Sequence, residues 1–543
     1  MFLMPMVMPP LPPPQAQITI LSGADIWGAN QKKSVLLRGQ ELAIQGGRVI
    51  RLAPMGSLSK EYPQAKVVHL SGGTILPGLF ESHGHVSGLG SSLEELQLNG
   101  MTNKAMVLKK IKEWSEKNTQ SWLIGRGWDQ NLWSDKRFPS AKDLDELEIP
   151  NPIFLERVDG HAIWVNSKAL SLASIDESTE DPLGGRIDRD INGNPSGILV
   201  DNATVLVEKV LPPPDPSFLV RRILLGLNYL SNFGFTSVCD MGVTKDELNV
   251  YRRLDQENKL PIKVFAYLVN DDVLINDELT RPMMPLDTHF KIQGVKIYMD
   301  GALGSRGARL LEPYADDPLN RGLWITHPNI AVSAIGRVLR AGYQPAIHAI
   351  GDAANHETIK ILSLFGPFKG SSLRPRIEHA QILAPKDIKE MGKLNIIASI
   401  QPVHCTSDHS WTPGRLGQSR LHEAFPWRNL LSNNVSLVLG SDTPVEHPNP
   451  FITLAAAETR QDEHHEPALG FLPDQVMTRT EAIDAYTRQA AMALGEATMG
   501  IIKTGAVADM IWIPDYILQV KPDSLRKIKA SRIWISGQER PVR

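Results

Sequence analysis

The sequence predicts an α/β fold, a (β/α)₈ barrel, in which eight parallel strands alternate with helices. Eight apolar runs rich in β-branched residues lie between residues 74 and 444, and most precede a stretch of helical character. Continuous apolar runs of this kind are typical of parallel strands that are buried on both faces. In nearly every run the polar residues come last, and a barrel carries its active site at the carboxyl ends of its strands. The runs are TILPGLFESHGH, GFTSVCDMG, PIKVFAYLV, QGVKIYMDG, QPAIHAIGD, RPRIEHAQI, NIIASIQPVH and SLVLGSDTP.

Short apolar segments separated by Gly-Gly turns occupy residues 17–75 and predict a small antiparallel sheet. A similar patch, ADMIWIPD followed by SRIWISGQE, lies near the end of the chain. Because neither patch is large enough to bury a core alone, we expect the two to combine into one composite β-sandwich. The predicted organisation is a leader at 1–16, sandwich parts at 17–75 and 496–543, and a barrel at 76–495.

The segment at about 100–230, between the first and second runs, is far longer than a βα connection needs. It contains a helical stretch at 104–117 and a Trp-rich piece, GRGWDQNLW. We interpret it as an insertion after barrel strand 1 that covers the mouth of the barrel.

The composition is that of an ordinary globular enzyme. The 543 residues carry a formal net charge of -3 without a basic stripe, so we expect no nucleic acid partner. Two cysteines that lie far apart exclude a disulfide framework and a zinc site made of cysteines. No stretch approaches the roughly 18 apolar residues that a membrane span requires.

The first 16 residues are apolar and rich in proline, which breaks helices, and they lack the charged start of an export signal. We therefore expect a disordered leader and a cytoplasmic protein. The alternative is the remnant of a trimmed signal peptide, which would make the protein periplasmic or secreted.

Five residues that can bind metal end four of the runs: His83, His85, His348, His379 and Asp442. The first two are spaced i and i+2, so on a strand their side chains point the same way. Any one of them has a structural alternative, because a buried histidine can satisfy a core hydrogen bond and an aspartate can cap a turn. All five at the same end of one barrel favour a site for zinc or another divalent ion.

Lys296 lies within the fourth run, where a buried ammonium would be costly. One alternative is that it reaches solvent or pairs with Asp300. The other is that burial leaves its amine neutral, so that it adds carbon dioxide and becomes a carbamate able to bridge two ions.

Six motifs, taken in order, resemble the amidohydrolase superfamily and more narrowly amidohydrolase family 3, which includes N-substituted formamide deformylases. The motifs are TILPGLFESHGH (74–85), RVDGHAIWVNSKAL (157–170), VKIYMDGALGSRGARLLEPY (295–314), HAIGDAANH (348–356), RIEHAQ (376–381) and GSDTPVEHPNPF (440–451). The resemblance covers residues 17 to 515. The first motif departs from the family in having Glu81-Ser82 where an aspartate often precedes the histidine pair.

This resemblance implies a metal centre made of the HxH pair, a carboxylated lysine, two later histidines and a final aspartate. These roles fall on His83, His85, Lys296, His348, His379 and Asp442. It also implies one or two ions per chain, zinc or another divalent metal.

The predicted activity is metal-dependent hydrolysis of an amide-type, non-peptide carbon–nitrogen bond in a small molecule. Asp442 would act as general acid and base on a water molecule activated by the metal. A homodimer is compatible with this prediction.

Five residues are candidates for substrate contacts: Trp128, Asp159, His161, Arg306 and His404. Arg306 lies in a Gly-rich loop and could bind a carboxylate or an oxyanion, or form a surface salt bridge instead. Trp128 could instead pack inside the insertion, and the two histidines could be structural.

Three other functions stay open at this point. A lactonase or phosphotriesterase would use nearly the same ligands. A deaminase would usually carry Glu three residues after the fifth-strand histidine, where this chain has Gly351. A non-catalytic scaffold would be expected to lose ligands that are retained here.

Overall fold

The computed structural model describes residues 17–29, 33–118, 120–212, 216–280, 288–371 and 373–542. The expected leader at 1–16 lies outside these residues. Within the described ranges, the helices are too short or too polar to cross a membrane.

The centre of the molecule is a barrel of eight parallel strands that neighbour one another in chain order. Its first and eighth strands meet through two backbone hydrogen bonds of 2.8 Å, Asp442 N–H to His83 O and His85 N–H to Thr443 O. The predicted (β/α)₈ barrel is therefore confirmed. Barrel strands 1 to 8 are Leu79–Gly84, Phe235–Val243, Lys263–Val269, Phe290–Tyr298, Gln344–Ala349, Arg376–His379, Ile397–Ile400 and Ser436–Leu439.

Helices cover the outside of the barrel, and one continuous apolar cluster fills the space between them and the strands. Local sequence fixes where several of them begin. Thr244, for example, caps the helix Lys245–Gln256 through reciprocal hydrogen bonds with Glu247, which satisfy two backbone donors at the helix start. The α-helices from the barrel onward are Val86–Ser92, Pro216–Asn232, Lys245–Gln256, Asp272–Glu278, Pro328–Arg340, Asp352–Ser363, Pro385–Leu394, Pro402–Asp408, Thr412–Leu416, Trp427–Ser432, Pro450–Thr459, Arg479–Tyr486 and Arg488–Ala493.

The two ends of the chain form two further sheets. The first is built by Arg48–Pro54, Gln40–Gln45, Thr19–Ser22 and Lys66–His69, in that spatial order. The second is built by Gln538–Arg540, Arg532–Ile535, Met510–Ile513, Thr74–Pro77, Asp25–Ala29 and Ser34–Leu37. Short helices, Leu58–Glu61 and Pro522–Leu525, accompany them. The strand from the C-terminal patch pairs directly with Thr74–Pro77, and one apolar cluster contains residues of both sheets.

The first predicted run is in fact two strands. Thr74–Pro77 belongs to the six-stranded terminal sheet, whereas Leu79–Gly84 is barrel strand 1. Between them Gly78 donates its N–H to Asp509 O at 2.8 Å, so the chain passes from one sheet into the next within a single residue. The apolar pattern does not show this break because both strands are buried.

The long segment after barrel strand 1 contains a mixed six-stranded sheet, where the sequence indicated only a helix and a Trp-rich piece. Its strands, in spatial order, are Gly185–Arg189, Pro195–Asp201, Ala162–Val165, Ile153–Arg157, Leu123–Trp128 and Leu96–Gln97. Its helices are Lys104–Ser115, Ala141–Asp145, Ser167–Leu172 and Val205–Glu208. Trp128, Trp133 and Trp164 pack edge-on or tilted at its core, with ring centroids 6.0 to 6.5 Å apart.

A buried ion pair joins the barrel to the C-terminal sheet segment. Lys263 Nζ lies 2.8 and 2.9 Å from the carboxylate oxygens of Asp509, and the two side chains are 5% and 3% exposed. We expect Lys263→Met to reduce the free energy of unfolding by about 3–5 kcal/mol, because it leaves the Asp509 charge buried without a cation. Chemical denaturation followed by fluorescence measures the change.

Lys259→Met is the matched control, because Lys259 is 61% exposed in its pair with Glu257 and such pairs contribute at most about 1 kcal/mol. Equal destabilisation by the two variants would contradict the structural role of the buried pair.

Candidate metal centre

The carboxyl ends of barrel strands 1, 4, 5, 6 and 8 bring the six predicted metal-binding side chains close together, but His348 and Lys296 belong to neither group of donors close enough to share one ion. Lys296 Nζ lies 3.0 Å from His83 Nε2, and Asp442 Oδ1 lies 3.3 Å from the same nitrogen. The His379 ring lies 5.0 Å from the His83 ring and 4.5 Å from that of His348, measured between centroids. These positions follow from parallel strands that end at the same rim of the barrel.

His83 is oriented by a chain of buried charges. Its Nδ1 lies 2.6 Å from Glu378 Oε2, and Arg376 donates to both oxygens of Glu378 at 2.5 and 2.9 Å. A carboxylate at Nδ1 favours the proton on that nitrogen and leaves the Nε2 lone pair for a metal. Burial and nearby Lys296 lower the pKa of His83 to about 4, so the imidazole is neutral near pH 7.

Two more histidines are oriented through Nδ1 in the same way. His85 Nδ1 lies 2.8 Å from the carbonyl oxygen of Met241, and His379 Nδ1 lies 2.9 Å from Gln401 Oε1. Their Nε2 atoms are therefore the free ligand atoms. Burial lowers the pKa of His379 well below its usual value, which keeps its ring in the neutral, ligating form.

The donor set fits a divalent ion. The donor atoms of His83, His85 and Asp442 lie within 4.8 Å of one another, and so do those of His379, His404 and Asp442. Asp442 Oδ1 is buried and forms no hydrogen bond with the described residues. His85 Nε2 and Asp442 Oδ1 lie 3.2 Å apart, and lone pairs that approach each other in this way repel, so a cation between them would remove the repulsion.

His404, which the sequence suggested as a substrate contact, belongs to the second of these groups. Its Nε2 lies 3.9 Å from Asp442 Oδ2 and is buried without a hydrogen-bond partner among the described residues. His404 therefore lies at the metal-binding cluster as well as on the cavity wall.

Lys296 is 1% exposed and does not pair with Asp300, so that alternative is wrong. The carboxylate of Asp300 instead accepts backbone N–H groups of Arg309, Ile350 and Gly351, at 2.8, 3.0 and 2.8 Å. Burial lowers the pKa of Lys296 to about 8, so about a tenth of its amine is neutral at pH 7.

His161 comes from the insertion and lies beside the metal cluster, with its ring centroid 5.1 Å from that of His348. Asp201 holds it, with Oδ1 at 2.6 Å from Nδ1. Burial opposes protonation of His161, but Asp201 raises its pKa overall. The Gly-rich loop makes room for this carboxylate, because a Cβ at Gly301 or Gly307 would lie 2.5 or 2.4 Å from an oxygen of Asp201.

A cavity of about 290 Å³ opens onto the cluster, and two parts of the chain line it. The barrel contributes His348, His379, His404 and Asp442, and the insertion contributes Asn99, Gly127, Asp129, Arg157, Asp159 and His161. The insertion therefore forms one wall of the cavity at the carboxyl end of the barrel.

The structure does not place two of the candidate substrate contacts, Trp128 and Arg306, at the cavity. Trp128 is fully buried in the core of the insertion and donates to Leu155 O at 2.9 Å, whereas its neighbours Gly127 and Asp129 line the cavity. Alternate residues of a strand face opposite sides, which separates the indole from the cavity. Arg306 does not line the cavity and pairs with Asp316 at 3.0 Å.

Three residues with clear roles could not be identified as site residues from the sequence. Glu378 orients His83, Asp201 orients His161, and Arg157 is a cavity residue that contacts Asp129 and Asp159. Only Glu378 had a local signal: with Arg376 it forms a charged i, i+2 pair inside an otherwise apolar strand, where unpaired charges are costly. The other two depend on how the insertion folds over the barrel.

We expect Glu378→Gln to weaken metal binding about 10- to 100-fold, because the amide holds the His83 ring and tautomer less firmly than the carboxylate. Competition with a chromogenic chelator measures the affinity. Glu390→Gln, on a surface helix where Glu390 pairs with Lys393, is the control and should bind as the unmodified protein does. Unchanged affinity in a folded Glu378→Gln protein would remove this residue from the metal site.

Comparison with known proteins agrees with this geometry. Residues 66–540 match the sequence family described as "Amidohydrolase family". The protein LONG AFTER FAR-RED 3 of Arabidopsis thaliana is 32% identical over 487 residues, which is 87% of this chain and 83% of that protein. The N-substituted formamide deformylase of Arthrobacter pascens is 25% identical over 516 residues, 92% of this chain and 94% of the enzyme.

A solved structure has the same overall arrangement. The crystal structure of an uncharacterized metal-dependent hydrolase from Pyrococcus horikoshii OT3 superposes with a TM-score of 0.75 at 26% sequence identity. The alignment covers 93% of this chain and 99% of that one.

Proposed function

The chain is a metal-dependent hydrolase of the amidohydrolase family, and we propose that it cleaves an amide-type carbon–nitrogen bond, outside peptides, in a small molecule. The observation that carries the proposal is the convergence of His83, His85, His379 and His404 on one buried carboxylate, Asp442, at the floor of a cavity. The likeness to an enzyme named as a formamide deformylase supports an amide as the substrate bond.

We propose that the site holds zinc or another divalent first-row ion, one or two per chain. The predicted ligands are His83, His85, Lys296, His348, His379 and Asp442, and the position of His404 adds it as a neighbour of the same centre. When bound, such an ion supplies Lewis acidity that polarises a carbonyl and lowers the pKa of water.

Asp442 is placed to move the proton. Burial opposes its ionisation, but His83 and the neighbouring histidines hold its pKa well below the usual range, so it is a carboxylate near pH 7. It can accept the proton of the attacking water and pass it to the leaving nitrogen, as a general base and then a general acid. His161, on the part of the cavity wall that the insertion forms, can contact the substrate through Nε2 while Asp201 holds Nδ1.

A substrate panel tests the reaction class. The zinc-loaded protein is assayed with N-substituted formamides and acetamides, a lactone, a phosphotriester and an aminopurine. We expect hydrolysis of the amides, loss of activity on chelation, and recovery when zinc is returned. Asp442→Asn should reduce turnover at least about a hundredfold, the low end for loss of a general acid–base group.

Asp523→Asn is the control, because Asp523 is 69% exposed and does not line the cavity. Turnover confined to the lactone or the phosphotriester would replace the amide proposal with the corresponding esterase activity. Full activity after chelation would overturn the metal mechanism.

We also propose that Lys296 becomes a carbamate. Its neutral amine forms an N–C bond with carbon dioxide and releases one proton, which leaves an anionic group with two ligand oxygens. Three facts support this: the side chain is buried, its pKa is lowered to about 8, and Nζ lies 3.0 Å from His83 Nε2. The negative charge would balance cations that neutral imidazoles cannot neutralise.

Lys296→Ala should lose metal and activity together, because the ligand oxygens that the carbamate would supply are removed, and short carboxylates added to the buffer should restore part of both. Metal analysis and NMR with isotope-labelled bicarbonate measure the two effects. Lys245→Ala, at an exposed lysine, is the control. A fully metal-loaded protein without a labelled carbamate signal would leave a single-metal centre with an unmodified lysine.

A further inference from the structure

The cavity wall beyond the metal cluster is strongly acidic. Among the residues that the structure describes, five carboxylates besides Asp442 line the cavity, and Arg157 is the only lysine or arginine that does so. The five are Asp129, Asp159, Asp408, Glu446 and Glu463.

Arg157 neutralises only part of this charge. Its guanidinium contacts Asp129 and Asp159, which leaves that trio with one net negative charge. The carboxylate of Asp408 forms no hydrogen bond or ion pair within the described ranges, and Glu446 accepts one hydrogen bond, from Ser407 Oγ at 2.6 Å. Burial and neighbouring carboxylates raise the pKa of Asp408 well above its usual value despite nearby Arg157, and a cation bound beside Asp408 would favour its ionised form.

These carboxylates are not arranged for a further metal ion. Among the described residues, each group of three or more donors close enough to share an ion contains Asp442, and neither Asp408 nor Glu446 belongs to one. Carboxylates spread along a cavity wall match an extended organic cation better than a compact ion, which needs its ligands within about 2–2.6 Å.

A second feature of the cavity independently indicates a polar ligand. Gln381 follows barrel strand 6, lines the cavity and is 4% exposed, yet its Nε2 has no hydrogen-bond partner among the described residues. A buried amide donor without an acceptor is costly, so a ligand acceptor such as a carbonyl oxygen would stabilise it.

We propose that the substrate of this hydrolase is an amide that carries an organic cation, such as an ammonium group, which lies against Asp408 and Glu446. The inference rests on the proposed amide hydrolysis and adds the charge of the substrate. The negative wall attracts the cation, and the reacting carbonyl then lies towards the metal centre and the donors of the inner cavity.

A matched pair of formamides tests the charge. One carries a trimethylammonium group and the other a tert-butyl group of the same shape on the same linker. We expect kcat/KM for the cationic member to be at least about tenfold higher at low salt, and this ratio to fall as salt is added. Asp408→Asn and Glu446→Gln should each lower the ratio, whereas Glu312→Gln, at a 71% exposed side chain outside the cavity, should not.

Calorimetric binding of butyltrimethylammonium and of its neutral isostere to the metal-loaded protein separates this inference from the amide proposal. If the cation binds more tightly than its isostere and Asp408→Asn weakens that binding, the cation site is supported, even if neither formamide is hydrolysed. Failure to hydrolyse either formamide would overturn only the proposed reaction. If kcat/KM for the neutral formamide equals or exceeds that for the cationic one, and both probes bind equally well, the cation site is overturned. Circular dichroism shows that each variant is folded.

Discussion

Closure of the barrel and assembly of the metal cluster depend on the same residue, Asp442. Its N–H bonds to His83 O and so joins barrel strand 8 to strand 1. Its carboxylate meets His83 and His85 on one side and His379 and His404 on the other. Asp442 adopts a left-handed backbone with φ of +58°, a conformation that aspartate tolerates better than most residues. A shift in barrel closure would therefore also move the ligand that the two donor groups share.

Inside the barrel, charge is stabilised by charge. Arg376 and Glu378 lie in the interior with about 1% exposure or less, where desolvation of either alone would cost several kcal/mol. Their bidentate pairing, and the contact of Glu378 with His83, replace the lost water. The pair thus connects the metal cluster to the interior of the barrel. The orientation of His83 therefore depends on the packing that holds Arg376 and Glu378 in place.

The insertion completes the site from outside the barrel. The insertion has its own packed core, which includes three tryptophans, and this core supports the part of the cavity wall that it forms. It contributes His161 and Arg157 to the cavity. The contact between Asp201 and the loop at 301–307 joins the two parts, because glycines at 301 and 307 leave room for the carboxylate. The same wall supplies part of the negative charge that faces the cavity, so it bears on which substrates can enter.

The barrel and the residues at its rim could be predicted from the order of residues along the chain. Eight buried strands produce eight apolar runs, and a parallel barrel places every run's last residues at one end, so His83, His348, His379 and Asp442 could be grouped without coordinates. The ordered set of motifs, through its family resemblance, added Lys296 to the predicted metal ligands. The apolar runs, their polar last residues and the order of the motifs are local or repeated features, so they can be recognised in the sequence alone.

Which residues of different segments come into contact depends on the three-dimensional packing of those segments. The inserted sheet places Asp201 beside His161 and Arg157 at the cavity. Because side chains alternate along a strand, Trp128 packs into the core of the insertion while its two neighbours line the cavity. His404 lies on the helix Pro402–Asp408, so its grouping with Asp442 depends on how this helix follows barrel strand 7. Such contacts join residues tens to hundreds of positions apart, and no spacing rule along a chain encodes them, because they arise from the packing of whole elements against one another.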